Sequence, residues 1–205
     1  MALCARPHLR IVGETIDLTP RREFDQLGRI ERPGILAHRV TPREVPDLLS
    51  YAAGALPALA AAEETVGRIA ERNQDSLWVF RKNREPVGIY AMLHLSVSGL
   101  EALLLGELDT GEPDPSLTVA TGETPAGIYK WAVVAPGPAA SGICAMSRFM
   151  QTDCFARANL FARPATTEGS RLMQRLGFRS VRSGYPDLYR YIRIVNRGSG
   201  LVDGD

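Results

Sequence analysis

Between Ile128 and Ala145 the sequence prepares a site for an anion from backbone groups. An apolar, β-rich run, Ile128-Tyr129-Lys130-Trp131-Ala132-Val133-Val134, ends at Ala135-Pro136. It then passes through Gly137-Pro138-Ala139-Ala140-Ser141-Gly142 into Ile143-Cys144-Ala145-Met146. A strand that opens through small residues into a helix leaves its first backbone N–H groups bare and turns the positive end of the helix dipole toward whatever lies there. Phosphate suits such a turn. At such a turn Gly142 permits close backbone approach and Ser141 could add a hydroxyl donor. The other reading is a plain strand-to-helix turn in which glycine serves packing.

Proton chemistry has fewer candidates. His94 titrates in the range a general base needs, and reads either as that base or as a half-buried structural residue. Tyr185, in the turn Ser183-Gly184-Tyr185-Pro186-Asp187, is a candidate acid, with Tyr129 as a weaker one. Glu107 and Asp109 are alternative bases whose bland reading is a solvated turn. Cys144 stands at a helix start, where the dipole lowers a thiol's pKa and an acyl-cysteine route is conceivable. Cys4, Cys144 and Cys154 have neither the spacing nor the neighbouring histidines of a metal set, so no metal is expected and the thiols read as reduced.

The elements that must hold these residues can be read from periodicity and punctuation. Residues 8–17 alternate weakly, as a first strand or an arm, and 18–33 read as a loop with a helical turn. Ile35 to Val40 is a short strand, and Thr41-Pro42-Arg43-Glu44 caps a helix that runs to about Ala53. A second helix covers Ala60 to Arg72. Ser76 to Arg81 and Val87 to Val97 form a hairpin across Lys82-Asn83-Arg84-Glu85-Pro86. Leu100 to Leu108 either extends the sheet or forms a short helix. The loop from Thr110 to Pro125 is longer than a hairpin needs, and either covers a cleft or is a surface excursion. A helix from Ala140 to about Phe155 follows the central strand. Asn159 to Ala162 is a strand, Thr166 to Leu176 a helix stopped by Gly177, Phe178 to Arg182 a strand, and Leu188 to Val195 a final strand. The Gly-rich stretch 196–205 reads as a flexible tail.

Two segments of this chain resemble the acyl-CoA-binding half of the Gcn5-related N-acetyltransferase superfamily. The family's Val-x-Pro strand end and its Arg/Gln-x-x-Gly-x-Gly/Ala loop fall on Val134-Ala135-Pro136 and Ala139-x-x-Gly142-x-Cys144. Its later Leu-Tyr-x-x-x-Gly-Phe falls on Leu172-Met173-x-x-x-Gly177-Phe178. The order strand, helix, helix, strand, strand before the central strand is similar as well. The resemblance implies an α/β (α+β) fold with a mixed, mostly antiparallel sheet flanked by helices and with splayed central strands. It covers residues 35–195, with 1–34 as an N-terminal arm.

What the resemblance implies about function is transfer of an acyl group, acetyl or another, from acyl-CoA to an amine of a small molecule or a protein. The pyrophosphate would lie on the N–H groups of 140–145, and the pantetheine arm would pair like an extra strand with Trp131, Ala132, Val133 and Val134. Ala139 stands where the family has a phosphate-holding Arg or Gln, and Met173 where it often has a catalytic tyrosine. The central strand carries Lys130 and no carboxylate. These departures keep a second reading open, a degenerate relative that binds acyl-CoA or a partner without turnover.

At 205 residues, with 45% hydrophobic and 23% charged side chains, the chain suits one globular domain. A net charge of +1 supplies no field to gather nucleic acid or an anionic membrane, and no basic-aromatic stripe is present. The N-terminus lacks a signal-peptide core, and the apolar stretch 51–62 is interrupted by Gly54 and Pro57, so a cytoplasmic protein is expected. The final strand offers an edge at which a second copy could pair to give a homodimer.

Overall fold

The computed structural model describes residues 8–11, 14–17, 24–27, 34–54, 59 and 62–193. The expected tail at 196–205, and the end of the expected final strand, lie outside them. In chain order, β1 (His8–Ile11) and β2 (Glu14–Asp17) pair antiparallel as a separate two-stranded unit. A single helical turn, α1 (Phe24–Leu27), follows. Then comes β3 (Leu36–Arg39), whose successor turn is built by Thr41 and Glu44 as a reciprocal capping box leading into α2 (Val45–Ala52). Next is α3 (Glu63–Arg72), which precedes β4 (Leu77–Lys82) and β5 (Glu85–Leu95). Asn83 and Arg84 close that hairpin with φ of 52° and 73°, the left-handed geometry that matches strand twist in a two-residue loop.

The apolar stretch after β5 is α4 (Val97–Leu105), not a sheet extension. The oxygen of Ser96 accepts from the Gly99 N–H at its start, and Gly106 ends it at φ 81°. Val97, expected at the end of the strand, therefore begins a helix. The long loop folds back as one 3₁₀ turn at Pro115–Leu117 before β6 (Gly127–Val134). The helix α5 (Ala140–Phe149) is shorter than its periodicity suggested. Residues 150–158 continue as turns that keep Met150, Phe155 and Ala158 buried. The chain ends with β7 (Asn159–Ala162), α6 (Thr167–Arg175), β8 (Arg179–Ser180) and β9 (Tyr189–Tyr191).

Seven of these strands form one sheet in the order β3-β4-β5-β6-β7-β9-β8. Every neighbouring pair is antiparallel except β6 with β7. The sheet is thus mixed, mostly antiparallel and flanked by helices, in an α/β fold. Alternation assigns its two faces. Trp78, Phe80, Tyr90, Met92, Ile128 and Leu160 meet α5 together with Phe24 and Phe178. On the other face, Leu77, Val79, Ile89 and Ala91 pack with α2 and α3. Leu93, Leu95, Tyr129 and Phe161 form a further cluster with α4. Among the described residues no helix is long and apolar enough to cross a membrane.

Candidate functional site

The one parallel pair is also where the sheet opens. The rungs between β6 and β7 run from Gly127–Asn159 to Lys130–Ala162 and stop there, because β7 ends at Ala162 while β6 continues to Val134. On its other side β6 stays paired to β5, with Ala91 opposite Ala132 and Met92 opposite Lys130. Trp131 is therefore the extra residue of a β-bulge, placed just where the β7 edge is lost, and a bulge twists and bends the strand that carries it. From Trp131 to Val134 one backbone edge has no strand partner, and Val133 is 38% exposed.

Beyond Val134 the chain makes one 3₁₀ turn at Gly137–Ala139, entered with Gly137 at φ 50°, and starts α5. Its N-cap is Ala139, which makes no side-chain capping bond. The side chains of this loop divide by direction. Ala139 is 1% exposed, and its N–H is already bonded to the Pro136 carbonyl at 3.0 Å. Gly142 faces the sheet so closely that a Cβ there would lie 2.4 Å from the Phe80 ring. Gly88 does the same from β5, where a Cβ would meet the Val134 carbonyl oxygen at 2.6 Å. Cys144 is buried, Ile143 and Ala145 are half-buried, and Ala140 is exposed with Ser141 half-exposed beside it. Gly142 thus serves the approach of α5 to the sheet, and Ala140 and Ser141 form the outward surface of the turn.

The other sequence candidates lie apart from this opening. His94 is fully buried near the far end of β6, opposite Ile128, with its ring 5.0 Å from that of Phe155. Its Nδ1 is 3.5 Å from the Ser76 hydroxyl, and its Nε2 has no hydrogen-bond partner. Loss of solvent holds its pKa down at about 4, so the ring is neutral at physiological pH. Tyr129 is buried on the opposite face, and burial pushes its phenol up to about 12. Asp109 accepts from the Gly111 and Glu112 N–H groups at 2.8 and 3.1 Å, which is turn chemistry. Glu107 is exposed.

Tyr185 does reach the neighbourhood of the opening. Its hydroxyl donates to the Leu108 carbonyl, and its ring lies 4.2 Å under the Arg163 guanidinium. Arg163 follows β7 directly and its Nε donates to Asp187 at 2.7 Å. Trp131 donates from Nε1 to the Thr110 carbonyl at 2.7 Å. The segment Leu108–Thr110 is therefore latched to the bulge residue and to Tyr185, so the start of the long loop walls one side of the opening. Arg163 and Asp187 escaped the sequence reading. Their signal was only that Arg163 follows an apolar strand and that Asp187 closes the Tyr185-Pro186 turn.

Lys130 occupies the closing rung itself. Its side chain is on the α5 face, 8% exposed, with Nζ 3.7 Å from the centre of the Phe24 ring and 4.4 Å from that of Phe178. Desolvation pushes its pKa down to about 7, against an opposing pull from Asp25. Among the described residues no group of three or more His, Cys, Asp or Glu side chains is arranged to hold a metal ion. No protein-family model matches the sequence, and no curated protein matches it.

Proposed function

We propose that this chain is an acyl-CoA-dependent N-acyltransferase of the Gcn5-related type, acting on an amine of a small molecule or protein. The observation that carries the reading is the termination of the sheet's parallel pair, β6 with β7, at Lys130–Ala162, with a bulge at Trp131 and a helix start without a side-chain cap directly beyond the open strand. An extended amide chain fits the unpaired β6 edge by ordinary strand addition. A pyrophosphate at the other end of that chain would meet the start of the helix at the outward surface of the turn, where Ala140 is exposed. The sheet supports the reading too, being mixed and mostly antiparallel with helices on its flanks, as the sequence resemblance implies. Backbone recognition tolerates loss of the Arg or Gln side chain at Ala139, which is buried and could not reach a phosphate in any case.

Isothermal titration with acetyl-CoA and with desulfo-CoA tests this, repeated on Ala140→Glu. The exposed first-turn position makes the substitution favourable for the helix, because a carboxylate complements the N-terminal dipole. Facing a diphosphate at about 6 Å, the same carboxylate costs about 2–3 kcal/mol per charge pair at an effective dielectric of about 20. After screening by salt, affinity should fall by at least about thirty-fold with no loss of stability. Absence of binding by the folded wild type would end the acyl-CoA reading.

A second reading, an acyl-CoA-binding module without turnover, is favoured by one observation. His94 is sealed in the core and the Tyr185 proton is held by Leu108, so neither of these candidates offers a free proton-transfer atom at the opening. Release of free thiol from acetyl-CoA in the presence of a panel of amines separates the two readings.

A further inference from the structure

The chain has only two lysines, Lys82 and Lys130, and they are opposites. Lys82 is exposed at the β4–β5 turn. Among the described residues Lys130 has no salt bridge or hydrogen-bond partner, and its ammonium is boxed by the rings of Phe24, Phe178 and, at 5.9 Å, Tyr90. The side chain leans toward β7 and β9, since Phe24 and Phe178 both pack on Tyr191 of β9, with ring centres 6.1 and 5.4 Å away. The residue opposite Lys130 on β7 is Ala162, whose small side chain leaves the space. Lys130 is therefore the residue of the closing rung, and its amine lies on the α5 side of the sheet beside the β6–β7 opening. From outside it is covered by α1, which is fixed on both sides. The Phe24 N–H donates to the Leu176 carbonyl at 3.0 Å, and the Ser147 hydroxyl donates to the Phe24 carbonyl at 2.6 Å. The hydroxyl of Tyr90, one wall of the box, is fully buried and has no hydrogen-bond partner.

We propose that Lys130 is a self-acylation site, its ε-amine taking the acyl group of a thioester bound in the adjoining β6–β7 opening. This rests on the acyl-CoA reading above, under which the arm enters at α5, runs along Val134 to Trp131 and ends at the closing rung. The lone pair of the neutral amine attacks the thioester carbonyl, a C–N bond forms, and the C–S bond breaks with its electrons on sulfur. The displaced amine proton passes to that thiolate, so thioester and amine become amide and free thiol. Three features favour the step. Burial holds a large share of the amine neutral near pH 7, with Asp25 and Arg193 as the charged groups that act on it in opposite senses. The amide carries no charge into an aromatic box, and its carbonyl brings an acceptor to a wall that holds the Tyr90 hydroxyl. The cover of α1 keeps bulk water and large reagents from the same amine.

The test is incubation of the full chain with acetyl-CoA at neutral pH, followed by proteolysis and mass analysis of the two lysine peptides, with binding titrated in parallel. A gain of about 42 Da, one acetyl group, is expected on the Lys130 peptide. It should accumulate at least about tenfold faster than on Lys82, because a bound donor acts at high effective concentration. Ala140→Glu should abolish it at Lys130 and leave the slow reaction at Lys82. Binding without modification of Lys130 would overturn the inference and leave the cofactor reading standing. Equal acetylation of Lys130 in Ala140→Glu would also overturn it, as chemical labelling independent of the site. No binding at all would remove the cofactor reading and this inference with it.

Discussion

Replacing Lys130 with methionine should stabilise the protein, by an amount that disappears as the pH rises. The two side chains are close in length, and methionine is well suited to contact with aromatic rings, so the box of Phe24, Phe178 and Tyr90 stays filled. What is removed is a charge that burial disfavours. Lys130 is lowered from 10.5 to about 7 in the folded chain. At about 1.4 kcal/mol per pKa unit this is a penalty of roughly 5 kcal/mol on the charged form. Loss of the ammonium's attraction to the rings returns about 1–2 kcal/mol, leaving an expected gain of about 2–4 kcal/mol at pH 6. The sign follows from proton counts. Between pH 7 and 10.5 the unfolded wild type binds a proton that the folded one does not, so wild-type stability rises with pH across that window. Above 10.5 the lysine is neutral in both states and the advantage of methionine is gone. Urea unfolding of both chains from pH 6 to 10 measures the difference, in which the titration of all other groups cancels. A methionine variant less stable at pH 6, or a difference that does not change with pH, would refute the burial argument.

Three other outcomes are expected. Gly142→Ala should lose about 1–3 kcal/mol in urea unfolding despite the better helix propensity of alanine, because its Cβ would lie 2.4 Å from the ring of the fully buried Phe80. An unchanged or raised midpoint would mean that α5 does not approach the sheet this closely. His94→Leu should flatten the acid limb of stability. The wild type, with His94 lowered from 6.5 to about 4, binds an extra proton only when unfolded in that window, and so loses about 3 kcal/mol as the pH falls through it. Parallel acid limbs for the two chains would place His94 in contact with solvent. Asp25→Ala should cost about 2–4 kcal/mol by leaving the Arg193 guanidinium buried without its carboxylate at 2.6 Å, and tryptic cleavage near α1 should accelerate. Wild-type resistance in that variant would show that the Met150 and Phe155 carbonyls alone hold Arg193.

The parts of the fold that were legible in the sequence are those where local pattern and tertiary burial agree. Apolar, β-rich runs along 77–95 and 127–134, the first broken by a turn, gave the strands, and Thr41 to Glu44 announced a helix start as an N-cap followed by proline. Where every residue is apolar the period is lost. Val97 to Leu105 became legible only through Ser96, whose hydroxyl oxygen claims the Gly99 N–H and diverts the chain out of the sheet. The α5 periodicity runs on through Phe155 although the helix stops at Phe149, because turns can keep the same side chains on the core. At the site, the composition of the loop identified the uncapped turn but left the role of its glycine open. Gly142 suits a ligand or a neighbouring aromatic ring equally well in sequence, and the ring is Phe80, sixty-two positions away. The box around Lys130 was invisible for the same reason, being assembled from positions 24, 90 and 178.

The distribution of polar groups in the core adds an argument that composition could not supply. Among the described residues three buried side-chain atoms have no hydrogen-bond partner: Asp75 Oδ1, which is ion-paired to Arg39 at 2.6 Å, and Tyr90 Oη and His94 Nε2, which lie on the α5 face of β5 with Lys130 between them on β6, opposite Met92. Each such group costs on the order of 1–3 kcal/mol relative to an apolar side chain of the same shape. Phenylalanine at 90 and methionine at 130 would be simple replacements in a face that is otherwise aromatic and aliphatic. On the other face of the same strands the buried side chains are apolar, apart from the phenol of Tyr129. The destabilising groups thus gather under α5, around the rung at which β6 and β7 part, and not at random through the core. Packing alone gives no reason for that placement. Under the acyl-CoA reading proposed above, a ligand that ended at the closing rung would give one, since an amine and a phenolic proton buried beside that rung would then face what arrives from the opening.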